Sequence, residues 1–246
     1  MKFKNNLLIA TVLFAAMPAM ADDFSIGAGA VFNESPYKGY NENVSAVPLM
    51  SYEGEHFYVR QATGGWIVWK DAKNELSLTA SWMPLSFDPE DNDDHGMKQL
   101  DERKASAMLG GAYYHHESWG SLKFAIAADA MDESGGVMGE MSYFRPFRMD
   151  RLTLTPSVGV FFHDESFNDY YYGVSAKESR RSGLQQYSAG ETVTPYVGVA
   201  AKYQLTQNLW LNASAVYTVL PDDVKNSPMI DRDDSFALMT GLSWTF

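Results

Sequence analysis

The sequence predicts an all-β fold: a transmembrane antiparallel β-barrel of the bacterial outer membrane, with about 12 strands. Three observations carry that prediction. The N-terminus reads as an export signal, the remainder alternates apolar and small side chains at strand period, and its connections alternate between long and short.

Lys2 and Lys4 precede an apolar run from Leu7 to Ala16, Pro18 interrupts it, and Ala19-Met20-Ala21 fits the small-residue pattern read by signal peptidase. Cleavage after Ala21 makes 1–21 a signal peptide and 22–246 a single barrel domain, located in the outer membrane. The run is too short to span a bilayer, and no later stretch reaches the roughly 20 apolar residues of a membrane helix. With 46% hydrophobic and 20% charged residues in 246, the chain can bury a large apolar surface. A net charge of −12 argues against nucleic acid, which needs a basic face to release counterions. The absence of cysteine removes disulfides, thiolate metal sites, cysteine nucleophiles and lipoprotein anchors together.

Along the chain, loop 33 to 43, turn Glu53 to Glu55 and turn 71 to 74 separate the first strands, and segment 56 to 70 reads as a short hairpin turning at Gly64-Gly65. Loop 88 to 101, turn Glu117 to Ser118, loop 131 to 134 and turn Arg148 to Asp150 follow. The next strand sets Leu152, Leu154, Val158, Val160 and Phe162 against Thr153, Thr155, Ser157 and Gly159. Beyond the polar loop 164 to 190, Val193, Val197, Val199, Ala201 and Tyr203 oppose Thr192, Thr194, Gly198 and Lys202. After turn Thr206 to Asn208, Leu209, Leu211, Ala213, Ala215 and Tyr217 oppose Asn208, Asn212, Ser214 and Thr218. Loop 221 to 234 leads into the last strand, where Phe236, Leu238, Leu242, Trp244 and Phe246 share a face. An even strand count places both chain ends on the periplasmic side; ten strands is the second reading, if 56 to 70 is a single strand.

The second face distinguishes a membrane barrel from a soluble sandwich. A sandwich would show water its Lys, Glu and Arg, whereas here that face is mostly small, as a crowded lumen requires. Aromatics near strand ends (Tyr113, Tyr114, Trp119, Tyr143, Phe147, Tyr203, Trp210, Tyr217, Trp244) fit interfacial girdles. Trp244 and the terminal Phe246 fit an assembly signal for the barrel assembly machinery.

Ser35-Pro36-Tyr37-Lys38-Gly39-Tyr40, Pro48-Leu49-Met50-Ser51-Tyr52-Glu53-Gly54, Leu100-Asp101-Glu102-Arg103-Lys104, Tyr170-Tyr171-Tyr172-Gly173-Val174-Ser175, Glu178-Ser179-Arg180-Arg181-Ser182-Gly183-Leu184 and Ser227-Pro228-Met229-Ile230-Asp231 resemble the MipA/OmpV family in order across the mature chain. The resemblance implies an outer-membrane barrel. For the MltA-interacting member it implies a scaffold joining a lytic transglycosylase to a bifunctional penicillin-binding protein in murein synthesis. Other members are outer-membrane antigens or porin-like proteins, so a narrow substrate channel or a surface-binding protein is the alternative. The family brings no catalytic residues, and no cofactor is expected.

The residues add little chemistry of their own. His115 and His116 are strand neighbours pointing to opposite faces, so they cannot chelate one ion. His163, Asp164 and Ser166 cluster as a hydrolase triad would, but three polar residues in four positions are commonplace in loops; the expectation is a protein without enzymatic activity. Asp88, Glu90, Asp91, Asp93 and Asp94 lack the Gly and terminal Glu of an EF-hand and read as a solvated loop beside lipopolysaccharide. Lys177, Arg180 and Arg181 suit either lipopolysaccharide phosphates or bracing against Asp164, Glu165 and Asp169. Alternation puts Arg60, Lys123, Asp129, Glu140 and Lys202 inside the barrel, where enclosed charges need partners, so a network crossing the lumen is expected.

Overall fold

The computed structural model describes residues 23–40 and 43–246, so the signal peptide expected at 1–21 lies outside the described residues. Among them are strands β1 (Asp23–Asn33), β2 (Asn43–Glu53), β3 (Phe57–Arg60), β4 (Thr63–Lys70), β5 (Asn74–Met83), β6 (Ser106–Glu117) and β7 (Gly120–Asp129). They continue as β8 (Val137–Phe144), β9 (Phe147–Met149), β10 (Leu152–His163), β11 (Thr192–Gln204), β12 (Leu209–Val219) and β13 (Asp234–Thr245). Every neighbouring pair is antiparallel, and β1 pairs with β13 from Ser25↔Thr245 to Asn33↔Ala237, which closes the wall.

β8 and β9 are one strand in two pieces. Both pair with β10, in the same register on either side of Arg145-Pro146 (Phe144↔Ser157, Phe147↔Leu154). The Arg145 N–H donates to the Pro156 carbonyl (3.2 Å), but Pro156 has no N–H to return the bond. Counting them once, the barrel has 12 staves, and closing into a cylinder leaves no sheet edge for lipid to meet along most of the wall.

The segment 56 to 70 is a hairpin, but its turn is not at Gly64-Gly65. It falls at Gln61-Ala62, where Gln61 takes a left-handed φ of 59° and Arg60 pairs with Thr63. The glycines lie inside β4 for another reason. A Cβ on Gly65 would sit 2.0 Å from Cζ of Tyr58, the residue opposite it, so this glycine makes room for an inward tyrosine ring. The turn expected at Arg148 to Asp150 likewise falls at Asp150-Arg151, with Asp150 at φ 47°.

The outer face is a belt of exposed apolar side chains, among them Phe24, Ile26, Trp66, Leu78, Leu109, Ile126, Val197, Leu242 and Trp244. The chain's main apolar core lies elsewhere, in the long connections at one end. Tyr37, Leu85, Phe87, Met97, Leu100, Phe167, Tyr171, Tyr172, Val174, Met229 and Ile230 pack there with Met83 and Met108 from the strand ends. These connections, expected to be polar, instead form an apolar cap over the barrel mouth. Two helices stiffen it, α1 (Glu165–Tyr172) and α2 (Ala176–Ser182); a third, α3 (Asp222–Lys225), adds Val224.

Candidate functional site

The lumen carries its charges in paired clusters along one wall. The Arg60 guanidinium donates to both carboxylate oxygens of Glu53 (2.7 and 2.9 Å) and to Glu75 (2.9 Å), and lies 3.7 Å over the Tyr58 ring. Lys70 reaches Glu75 from the rim (3.0 Å). Lys123 donates to Glu140 (2.6 Å), which also accepts from Tyr196 (2.9 Å) and Ser142 (3.1 Å). Such pairing is what makes enclosed charge tolerable, since each ion left alone would lose solvation worth several kcal/mol.

Three of the five residues expected in this network are therefore in place, and two are not. Asp129 ends β7 and is spent on the loop beyond it, accepting from Ser106 and from the backbone N–H groups of Met131, Ser134 and Gly135. Lys202 faces inward near the opposite end of the barrel, with its ammonium 4.5 Å from the Trp210 ring. Alternation assigns a side chain to a face but not to a height or to a place around the wall: Asp129 stands at the capped end, whereas Lys202 lies at the same short-turn end as Glu53, Glu75 and Lys123 but on β11. Two of the aromatics expected in the girdles are elsewhere: Tyr114 and Trp210 face the lumen, under Arg60 and Lys202 respectively.

The cap is locked by a second buried pair. Arg103 donates to Glu178 (2.8 Å) and to the carbonyls of Asp101 (2.8 Å) and Gly173 (3.2 Å). Glu178 also accepts from the Asp101 N–H (3.0 Å) and from Ser175, whose hydroxyl caps α2. Burial alone would raise the Glu178 carboxyl, but these donors prevail and hold it at about 2. Burial pushes the Tyr37, Tyr171 and Tyr172 phenols well above their ordinary range, and those of Tyr37 and Tyr171 donate to the carbonyls of Tyr171 (3.0 Å) and Lys104 (2.9 Å).

Of the three loop cations, Arg181 braces the cap, donating to the Gln99 carbonyl and to Asp101 (2.9 Å) rather than to Asp164, Glu165 or Asp169. Lys177 and Arg180 stand exposed. His163 is buried and stacked on Phe167 (4.4 Å), while the Asp164 side chain caps α1 by accepting the Phe167 N–H (2.9 Å), so the two do not form a relay. His115 and His116 separate as expected, one bonded to Asn74 and the other to Ser121 (2.8 Å each). Asp88 and Asp94 accept from backbone N–H groups of their own loop, and among the described residues no three His or acidic side chains converge on a metal position. Trp244 and Phe246 are exposed on the outer face, Phe246 stacked on Phe24 (5.6 Å).

Sequence reasoning missed the opposite rim. Arg145, Arg148 and Arg151 fall within seven residues around the β9–β10 turn, all exposed, in a chain of net charge −12. Three arginines so close in an acidic sequence were the available signal.

A closed antiparallel barrel with an apolar belt, paired lumen charges and long connections at one end only is an outer-membrane β-barrel. The family model described as "MltA-interacting protein MipA" matches residues 26–246, and the chain belongs to that family. It is 54% identical over its full length to all of the "Putative outer membrane protein YiaT" of Escherichia coli K12. It is 39% identical to the "MltA-interacting protein" of the same organism, covering 99% of each chain. Identity falls to 24% with the "Outer membrane protein OmpV" of Vibrio cholerae, over 62% of this chain and 59% of that one. Among solved structures, the COG4313 outer membrane channel of Pseudomonas putida F1 aligns with 97% of this chain and 100% of its own at 9% identity, with a TM-score of 0.46.

Proposed function

We propose that this protein is a non-enzymatic docking platform of the outer membrane, presenting its periplasmic rim to a lytic transglycosylase and a bifunctional penicillin-binding protein of murein synthesis. The observation that carries the reading is its 39% identity, across 99% of each chain, to the MltA-interacting protein. The two ends of the barrel support it: the capped end is packed with buried apolar side chains, while the short-turn end presents Arg145, Arg148 and Arg151 without ion pairs among the described residues. Single turns are too small for the roughly 1,200 Å² at which stable interfaces begin, so several act together or avidity within a complex holds the partners. On the outer face, Lys177 and Arg180 suit lipopolysaccharide phosphates, and Trp244 and Phe246 serve recognition by the barrel assembly machinery.

Affinity capture of tagged protein from crosslinked envelopes, with an unrelated barrel as control, tests this. Co-enrichment of a transglycosylase and a penicillin-binding protein, lost when the three arginines become glutamine, is the expected result. Recovery of only lipopolysaccharide and assembly machinery would overturn it. The long connections at one end, which a purely periplasmic scaffold would not need, favour a narrow channel or a surface-binding protein as a second reading; regular single-channel steps in planar bilayers would support the channel instead.

A further inference from the structure

One stave of the wall is half-height. β2 pairs with β1 along its whole length, from Asp23↔Glu53 to Asn33↔Asn43, but with β3 only from Ser51 to Glu53. The β3–β4 hairpin turns back at Gln61-Ala62, where Gln61 N–H donates to the Met50 carbonyl (3.2 Å) and Trp82 N–H to the Ala62 carbonyl (2.9 Å). Above that level, among the described residues, no strand pairs with the other edge of β2. The exposed apolar side chains Val44 and Met50 mark this stretch as lying within the lipid-facing belt. Bare backbone there is costly, several kcal/mol for each unsatisfied group.

The edge is graded in polarity. Because the Met50 carbonyl points to the hairpin side, alternation along the strand points Pro48, Ala46 and Val44 the same way. Pro48 has no N–H to offer, so the deepest free position carries no donor. Nearer the capped end, Ala46 and Val44 still present theirs. Behind this edge Val31, Leu49 and Met239 face inward and pack together with Val47, an aliphatic patch, whereas the other inward clusters are built around the aromatic rings of Tyr114 and Phe144 and of Phe161 and Tyr196. Gly241 leaves room for the aliphatic patch, since a Cβ there would come 2.8 Å from Cδ1 of Leu49. The cap packs over the mouth above, and the seam lies beside this patch.

We propose that the seam above the β3–β4 hairpin is a lateral portal, through which an acyl chain of an outer-leaflet lipid enters and lies on Val31, Val47, Leu49 and Met239. The chain's ester or amide head stays level with Ala46 and Val44, whose N–H groups supply donors, while its tail passes Pro48, which demands none. A protein strand adding to β2 fits less well, because Pro48 breaks the donor row such pairing needs.

Photo-crosslinking in the full-length protein, reconstituted in phosphatidylethanolamine and phosphatidylglycerol vesicles, tests the portal. A benzophenone amino acid replaces Val47 (inward, at the seam), Ala125 (inward, on the sealed wall) or Ile126 (outward, in lipid). The expected result is a mass shift of one lipid at Val47 and Ile126 and none at Ala125. A shift at Ile126 alone would overturn the proposal, as would a protein adduct at Val47, from a second copy or another chain. In a further arm, Leu49→Gln with the probe at Val47 should lose the lipid adduct while the adduct at Ile126 persists; retention at Val47 would argue against the apolar patch as the seat.

Discussion

At the capped end, long connections from distant parts of the chain bury Leu85, Phe87, Met97, Tyr171 and Met229 around the Arg103–Glu178 pair. At the other end no connection exceeds the four residues 205–208 between β11 and β12, and the exposed charges include three arginines. The barrel wall between them places its apolar side chains against lipid, which rewards burial no more than another apolar surface would. Hydrophobic stabilisation in water is therefore concentrated in the cap, while the opposite rim is free to vary its surface at little cost to folding.

The largest effect is expected of Phe87→Ala, which should cost about 3–5 kcal/mol of cap stability. The expected outcome is proteolysis within residues 84–105 and 164–191 with heat-modifiable gel migration retained. If the wall melts as well, cap and barrel are one cooperative unit. Glu178→Ala leaves Arg103 buried without its partner, and about 3–5 kcal/mol is again expected, read by the same proteolysis.

Because the folded Glu178 carboxyl sits at about 2, below its unfolded value, its stabilisation is complete above about pH 4.3 and fades as pH falls toward 2. Cap protection should follow that course in the wild type and be flat across the window in Glu178→Gln. Gly65→Ala, in the wall, should cost about 1–3 kcal/mol by pushing the Tyr58 ring aside, lowering the unfolding temperature without exposing the cap to protease. Smallest of all, changing Arg145, Arg148 and Arg151 to glutamine should each alter stability by no more than about 0.5 kcal/mol, and yet abolish partner capture.

Staves were legible because a membrane barrel writes its two faces at period two, and Leu209 to Thr218 or Leu238 to Phe246 can be sorted by eye. Gly64-Gly65 misled because glycine serves cross-strand packing as well as turns, and the Tyr58 ring over Gly65 is a contact between strands. The cap was obscure for a different reason: Leu85, Met97 and Met229 follow no period, so their apolar character in loops was the clue and periodicity could not organise it. The same limit hid the free edge of β2. Pairing is non-local, and Pro48 alone hinted that one side of that strand asks for no hydrogen bond.

The cap also spans the line where the two ends of the chain meet. Tyr37 bridges to Ile230, Lys38 N–H donates to the Met229 carbonyl (2.8 Å) and Asp231 N–H to the Pro36 carbonyl (3.2 Å), all just beyond the β1–β13 junction. That junction has the longest sequence separation in the wall, so its closure carries the largest loop-closure entropy of the strand pairings, and these bonds add to its hold. Once made, they work as a latch. Parting the wall at the β1–β13 junction then requires breaking the latch as well, which slows unfolding by that route.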